Sequence, residues 1–222
     1  MSVYIKEPEK PAQACVIWMH GLGADASDMM GLVEQLKIDD VVLRHVFLDA
    51  PMRPVSLNGG MVMPAWYDIM GKELVDREDK HGIEKSHAII RSVIEIQLKE
   101  GLQSTQIYLA GFSQGGAMAL HSALNTDAQL GGVIALSAYL PLAGQTTPSL
   151  AKNTPFFLGS GLFDPLVLPI WSQESRDWLL TKGYEDVSYH QYPMEHSICF
   201  KETQDISVWL SEHVQGVLQC PL

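Results

Sequence analysis

The chain alternates between short, continuous apolar runs and longer segments in which apolar residues recur at helical spacing. Continuous apolar runs are typical of strands that are buried on both faces of a sheet, whereas a period of three to four residues is typical of amphipathic helices. The predicted strands are 14–19, 41–48, 106–110, 132–137, 155–160 and 187–192. Most of them are continuous apolar runs, and 187–192 alternates between apolar and polar residues. The helical periodicity predicts helices at 28–37, 82–99, 115–125, 170–182 and 202–216.

This alternation of strands and helices predicts an α/β fold. Strands joined by helices form right-handed crossovers, which make neighbouring strands parallel. We therefore expect a single domain over residues 1–222, with a mostly parallel central sheet, helices on both faces and no large cap domain. The section from Ala50 to His81 shows no regular periodicity, and a loop of that length inside a compact domain is usually functional.

The third predicted strand and the following helix are joined by Gly111-Phe-Ser-Gln-Gly115. A Gly-x-Ser-x-Gly sequence between a strand and a helix is typical of a nucleophile elbow. A serine hydroxyl is a weak nucleophile, so it must be lifted from the sheet toward both a base and a substrate carbonyl. Glycines on either side leave room for the sharp turn that does this. Ser113 is therefore the candidate nucleophile, and the alternative is an ordinary glycine turn.

An elbow serine needs a histidine base, which follows the nucleophile and a carboxylate along the chain. His196 lies in a proline-opened loop after the last predicted strand. Ligand-facing residues of parallel sheets collect at this edge, so His196 is the candidate base, with a structural histidine as the alternative. The remaining histidines after the serine are too close to it on the same helix, inside a strand, or on the surface of the last helix: His121, His190 and His213.

The carboxylate of the site is expected in a loop that leaves the end of a strand. Asp164 satisfies this condition, because it follows the strand at 155–160 and precedes a proline. An Asp-Pro pair also initiates turns, and this role is compatible with the catalytic one. The other carboxylates after the serine lie in polar or helical surroundings or adjoin the histidine itself: Asp127, Glu174, Asp177, Glu185, Asp186 and Glu195.

Charge that develops on a carbonyl oxygen needs preorganised N–H donors. One donor is expected to be the backbone N–H of Gln114, directly after the nucleophile. The loop His20-Gly-Leu-Gly-Ala-Asp25 follows the first predicted strand and has the flexibility to supply the other. We assign this second donor to the N–H of Leu22, and we expect His20 to brace the loop.

Composition and charge narrow the range of partners. The formal net charge of -11 disfavours binding to nucleic acid, and no apolar run approaches the length that spans a membrane. The amino terminus shows no secretory signal pattern. The cysteines at positions 15, 199 and 220 have neither disulfide nor metal-site spacing. A reducing cytoplasm is therefore the expected location, without integral membrane association.

Taken together, the motifs resemble the small-carboxylesterase branch of the α/β-hydrolase superfamily, the phospholipase/carboxylesterase family that includes acyl-protein thioesterases. The similarity covers nearly the full length, and its segments are 18–25, 50–68, 111–116, 163–165 and 192–199. It implies Ser113, Asp164 and His196 as a catalytic triad, with Leu22 and Gln114 as oxyanion donors. It leaves a homodimer open, with Trp171, Trp178 and Trp209 as candidates for core or interface.

The sequence thus predicts a serine carboxylesterase that hydrolyses acyl esters through an acyl-serine intermediate. The alternatives are an acyl-protein thioesterase or a lysophospholipase with the same triad, and a non-catalytic binding protein of the same fold. The substrate is then a small-molecule or lipid ester, or an acylated protein. No metal or organic cofactor is needed for this chemistry. Candidate acyl-binding residues follow a glycine-rich turn, and their alternative role is core packing: Met63, Trp66, Tyr67 and Ile69.

Overall fold

A mostly parallel sheet forms the centre of the fold. The computed structural model describes residues 2–38, 40–71 and 73–219, and within them a seven-stranded sheet has the strand order β1-β3-β2-β6-β7-β8-β9. Only β1 runs antiparallel, beside β3 at one edge. The strands, including the separate hairpin β4-β5, are β1 Val3–Lys6, β2 Ala14–Met19, β3 Leu43–Leu48, β4 Met52–Val55, β5 Met61–Pro64, β6 Ile107–Phe112, β7 Gly132–Leu136, β8 Phe156–Gly161 and β9 Val187–Tyr192.

Helices cover both faces of this sheet. They are α1 Ala26–Val33, α2 Lys80–Lys99, α3 Gln114–Leu124, α4 Pro169–Thr181 and α5 Phe200–Gln219. All residues of β2 are buried, and its side chains alternate between a core shared with α2, α3 and α4 and a core shared with α1 and α5. Burial on both faces explains why the strands are continuous apolar runs. The predicted α/β fold, with a mostly parallel sheet and helices on both faces, is confirmed.

The section from Ala50 to His81 contains structure that periodicity did not reveal. Strands β4 and β5 pair antiparallel, with Met52 opposite Pro64 and Val55 opposite Met61. Gly59 and Gly60 between them have φ angles of 65° and 80°, which favour glycine and allow the turn. The hairpin is largely exposed and β1 is exposed throughout. Exposure therefore separates these elements from the buried strands, although β5 itself consists of the apolar residues Met61 to Pro64.

Helix α2 begins two residues earlier than its periodicity predicts, because Asp79 caps it. The Asp79 carboxylate accepts hydrogen bonds from the backbone N–H of Gly82 and of Asp68, both at 2.9 Å. The cap satisfies an N–H of the first helical turn and also ties the section after the hairpin to the helix. This connection gives the long section a defined position beside the sheet.

Other residues singled out in the sequence also have defined positions. Trp171 and Trp209 are buried in the core, and Trp178 packs against it. Cys15 and Cys199 are free thiols, whereas Cys220 lies outside the described residues. Within the part of the chain that the structure describes, no helix combines the length and apolar character needed to cross a bilayer.

Candidate active site

Ser113 occupies a strained turn between β6 and α3. Its φ of 54° and ψ of -120° lie in a region that side-chain-bearing residues rarely adopt. The turn is held by a 2.8 Å hydrogen bond from the Ser113 N–H to the carbonyl of Leu136 in β7. A Cβ at Gly115 would overlap the backbone of Met19 and His20. Glycine is therefore required where the elbow passes closest to the end of β2, and the turn projects Ser113 above the edge of the sheet.

The three residues predicted as a triad lie in one chain of hydrogen bonds. His196 Nε2 lies 2.9 Å from Ser113 Oγ, and His196 Nδ1 lies 2.6 Å from Asp164 Oδ2. With the proton on Nδ1, the imidazole donates to the carboxylate and its Nε2 can accept the serine proton. The ring of Phe112 packs against the imidazole, with ring centroids 4.8 Å apart. The His196 ring is thus positioned by contacts with Ser113, Asp164 and Phe112.

Asp164 is buried, yet its surroundings favour the carboxylate form. Burial by itself raises the pKa of Asp164, but the hydrogen bond from His196 and those from two backbone N–H groups outweigh it and lower the pKa. These N–H groups belong to Leu166 and Val167 and lie 2.8 and 2.9 Å from Asp164 Oδ1. The turn after β8 therefore supplies both the carboxylate and the donors that keep it ionised.

The loops that carry Asp164 and His196 are joined by their backbones. The N–H of Leu162 donates to the carbonyl of Tyr192 at 2.8 Å, and the N–H of Phe163 donates to that of Met194 at 3.0 Å. These bonds continue the parallel pairing of β8 and β9 beyond the last residues of the strands. The separation of the carboxylate and the imidazole is consequently set by the sheet itself.

The two predicted oxyanion donors lie on segments close to the serine: Gln114 follows Ser113 directly, and a Cβ at Gly21, next to Leu22, would lie 3.5 Å from Ser113 Cβ. Leu22 lies half-buried in the loop after β2, and Gln114 is the first residue of α3. Neither backbone N–H finds an acceptor within the described residues. Two free N–H groups beside a nucleophile can receive the charge of a tetrahedral intermediate, with the amino-terminal end of α3 adding to their effect.

The loop after β2 is braced by His20 and by the hairpin. His20 Nδ1 donates to the carbonyl of Gly21 at 2.7 Å, and Nε2 accepts from the N–H of Ala50 at 2.9 Å. The N–H of Gly23 donates to the carbonyl of Pro64 in β5 at 2.8 Å. Both ring nitrogens of His20 are therefore engaged within the protein, as the bracing role requires.

The candidate acyl-binding residues divide into two pairs. Trp66 and Tyr67 are 0% and 2% exposed and belong to the core beneath α2 and α3. Met63 and Ile69 are half-buried. The Met63 sulfur lies beside Gly23 in the loop 20–25 after β2, which we call the oxyanion loop, whereas Ile69 packs against the core. Burial thus favours core packing for Trp66 and Tyr67, whereas Met63 is half-buried against Gly23.

Sequence reasoning missed the role of the Gln114 side chain. Its amide oxygen accepts from the Trp66 N–H, and its amide nitrogen donates to the Tyr67 carbonyl, both at 2.8 Å. Trp66 Nε1 in turn donates to the carbonyl of His20 at 2.9 Å. A long polar side chain at the start of an otherwise apolar helix was the available signal. The buried tryptophan therefore connects the elbow to the oxyanion loop.

This arrangement has the parts that acyl transfer requires. Ser113, His196 and Asp164 can act as nucleophile, base and orienting carboxylate, and the free N–H groups can stabilise an oxyanion. Within residues 2–38, 40–71 and 73–219, no three histidine, cysteine or carboxylate side chains converge as a metal site would require.

The chain is similar to known hydrolases over almost its whole length. The family model described as Phospholipase/Carboxylesterase matches residues 2–214. The sequence is 35% identical to "Acyl-protein thioesterase 1" of Yarrowia lipolytica, covering 95% of this chain and 97% of the relative. It is 36% identical to the protein of the same name from Neurospora crassa, covering 92% of this chain and 88% of the relative.

Solved structures show the same architecture. The crystal structure of Zea mays acyl-protein thioesterase 2 superposes with a TM-score of 0.83 at 26% identity, covering 96% of this chain and 99% of that one. A Bacillus cereus carboxylesterase shares the fold with a TM-score of 0.78 at 19% identity, covering 96% and 94% of the two chains. The chain is therefore a hydrolase that belongs to the phospholipase/carboxylesterase family of α/β-hydrolases.

Proposed function

We propose that this hydrolase is an acyl-protein thioesterase, which releases acyl groups from S-acylated cysteines of proteins. The observation that carries the proposal is the hydrogen-bonded chain from Ser113 through His196 to Asp164. The names of relatives about one third identical over nearly their full length favour the thioester among acyl substrates. The carboxylesterase expected first from the sequence becomes the second candidate, because it would use the same residues.

In the acylation step, Ser113 Oγ attacks the thioester carbonyl carbon while His196 Nε2 takes the serine proton. The negative charge moves to the carbonyl oxygen, where the N–H groups of Leu22 and Gln114 receive it. The ionised Asp164 stabilises the resulting imidazolium. The tetrahedral intermediate then collapses, the carbon–sulfur bond breaks, and the cysteine sulfur leaves with the proton from His196.

In the deacylation step, His196 takes a proton from water, and the resulting nucleophile attacks the acyl-serine. A second tetrahedral intermediate uses the same oxyanion donors. Its collapse breaks the bond to Ser113 Oγ, which regains a proton from His196, and the fatty acid departs. Each step transfers one proton through the same nitrogen, so the acid and the free thiol are the complete products.

Exposed apolar side chains lie in the turn that carries Asp164 and on the hairpin β4-β5. Phe163, next to Asp164, is 66% exposed, and Met61 on the hairpin is 64% exposed. Leu162 and Leu166 extend the apolar surface on the Asp164 side. Exposed apolar patches are typical of surfaces that bind apolar ligands, which suits an acyl substrate. Met63, between the hairpin and the oxyanion loop, is the proposed contact for the acyl chain.

The test compares three substrates of equal acyl length: an S-acylated cysteine peptide, the matching O-acylated serine peptide, and a lysophospholipid. We expect kcat/KM to be highest for the thioester, and we expect Ser113→Ala to lower turnover by about 10⁴-fold or more. Ser92→Ala, which removes an exposed hydroxyl on α2, is the matched control. A preference for the serine ester or the lysophospholipid would overturn the thioesterase assignment, and Ser113-independent turnover would overturn the triad.

A further inference from the structure

Glu202 is a buried carboxyl group that the proposed chemistry does not use. It lies in the first turn of α5 and is 0% exposed. Within the described residues no side chain hydrogen-bonds to its carboxyl group, and the nearby backbone N–H of Cys199 acts on it without closing a well-formed hydrogen bond. Burying a polar group without partners costs free energy, so such a residue in the core calls for a physical reason. The position of Glu202 relative to the active site gives such a reason.

The Glu202 carboxyl group lies directly against β8. Its Oε1 occupies the space that a Cβ at Gly159 would need. Two residues further along the same face of β8, a Cβ at Gly161 would overlap the carbonyl of Glu195. Residues 195–202 therefore pass over this face of β8, where the two glycines leave room for them. We call this segment the histidine arch. His196 belongs to the arch, and Asp164 follows the same strand.

The surroundings of Glu202 favour the neutral acid. Burial raises the pKa of Glu202 to about 8, and the charge of Asp205 adds to this shift, while the backbone N–H of Cys199 opposes it. The Tyr192 hydroxyl also faces this region and donates to Asp205 at 3.0 Å. Lys201 pairs with Asp205 on the exposed side, and His190 acts on the same carboxylate. Glu202 itself has no cationic partner among these groups.

We propose that Glu202 is a positioning residue for His196, whose carboxyl group fills the gap over Gly159 and sets the height of the histidine arch above β8. At this height His196 reaches both Ser113 and Asp164. The role rests on the proposed function of His196 as the base. A charged carboxylate in the same space lacks a counterion, so ionisation draws in water and displaces the arch. Turnover then falls as the pH rises through about 8.

Protonation of the Glu202 carboxyl group also makes the free energy of unfolding depend on pH. Below the ordinary glutamate pKa of 4.5, the carboxyl group is protonated in both the folded and the unfolded chain. Between 4.5 and about 8, the folded protein keeps a proton that the unfolded chain releases. The contribution of Glu202 to the free energy of unfolding therefore decreases as the pH rises through this window and is constant above it.

The test compares Glu202→Gln, Glu202→Ala and the wild type with a p-nitrophenyl ester between about pH 6 and 10. Gln keeps the shape of the neutral acid but cannot ionise, so it retains turnover and loses the alkaline fall near pH 8. Ala leaves the gap over Gly159 empty and lowers kcat by about 10- to 100-fold with little change in KM. Glu212→Gln, an exposed carboxylate on the same helix, keeps the wild-type profile.

A second readout needs no substrate. The His196 Nδ1–H resonance reports the hydrogen bond to Asp164, and we expect it to change across pH 8 in the wild type but not in Glu202→Gln. A Gln variant with the wild-type alkaline fall and the wild-type change in resonance would overturn the positioning role, whatever the outcome for Ala. Because the resonance is independent of turnover, it separates this result from failure of the thioesterase assignment.

Discussion

Gln114 holds Trp66 through its side chain: the amide oxygen of Gln114 accepts the backbone N–H of Trp66 at 2.8 Å. The two residues are 48 positions apart, and both are buried. Gln114 therefore has two roles. Its backbone N–H is a proposed oxyanion donor, and its side chain hydrogen-bonds the segment after the hairpin to the elbow. Trp66 extends the connection to His20 through its indole N–H. Displacement of any one of these three residues is therefore transmitted to the oxyanion loop.

Gln114→Ala tests this connection. The substitution keeps the backbone N–H but leaves the Trp66 N–H and the Tyr67 carbonyl without their partners. We expect the free energy of unfolding to fall by about 1–3 kcal/mol for each group, together with a loss of kcat. Urea denaturation and ester hydrolysis measure the two effects. Gln35→Ala, which removes an exposed amide on the surface, serves as the control. An unchanged denaturation midpoint would contradict the connection.

Asp164→Asn tests the orientation of the histidine. Asparagine occupies similar space but carries no charge to stabilise the imidazolium, and its amide can favour the wrong tautomer. We expect kcat to fall by about 10³- to 10⁴-fold, whereas Asp127→Asn, at an exposed position, leaves it unchanged. Steady-state kinetics on one ester decide the outcome. Near-normal turnover in the Asp164 variant would remove this aspartate from the mechanism.

Asp164 also predicts a pH dependence of stability. Because its pKa in the folded protein lies below the ordinary value of 3.8, its contribution is present above 3.8 and is lost as the pH falls through the lower, folded value. The difference in free energy of unfolding between the wild type and Asp164→Asn should therefore shrink between about pH 5 and pH 2. Urea titrations across this range measure it. A difference that stays constant would show that the carboxylate is not stabilised by its hydrogen bonds.

Gly115→Ala tests the close approach at the elbow. The added Cβ would meet the backbone carbonyls of Met19 and His20, and backbone atoms cannot rotate away as a flexible side chain can. We expect a loss of about 3 kcal/mol or more in the free energy of unfolding. Gly144→Ala is the matched control, because nothing lies within 4 Å of its Cβ position. Thermal denaturation of both variants gives the comparison, and equal melting temperatures would contradict the expected clash.

Met63→Ala tests the proposed acyl contact. If the side chain lines the path of the acyl group, its loss should lower kcat/KM for octanoyl esters by about 3- to 10-fold and leave acetyl esters unaffected. Met30→Ala, a half-buried methionine on α1, controls for a general loss of packing. A chain-length profile measured with p-nitrophenyl esters separates the two effects. Equal losses at all lengths would assign Met63 to the support of the oxyanion loop instead.

The buried strands, the helices and the order of the candidate triad could be predicted from the sequence because each depends on local chemistry. Strands buried on both faces are continuous apolar runs, as β2 shows at its predicted bounds. The edge strand β9 also has its predicted bounds, but its residues alternate between apolar and polar and are mostly half-buried. Ser113 was found through its flanking glycines, and Asp164 and His196 through their positions after strands. Parallel strands end at one edge of a sheet, so this order alone predicted that the three residues would meet.

Other features depended on contacts between distant residues. Strand β1 and the hairpin β4-β5 are short, largely exposed and defined by their pairing with β3 and with each other, which the order of apolar and polar residues does not show. Glu202 occupies an apolar-face position of α5, four residues before Ile206, and only the fold shows that a carboxyl group there meets Gly159.

The sequence by itself therefore determined the order of the helices and of the six predicted strands, the elbow and the chemical types of the candidate triad. Only the tertiary structure decided that Trp66 and Tyr67 are core residues, that the Gln114 side chain bonds to Trp66, and that the Glu202 carboxyl group lies over Gly159. The physical reason is the distance along the chain over which each effect acts. Periodicity and turn chemistry act over a few neighbouring residues, whereas burial and hydrogen-bond partners are set by segments that come together only when the chain has folded.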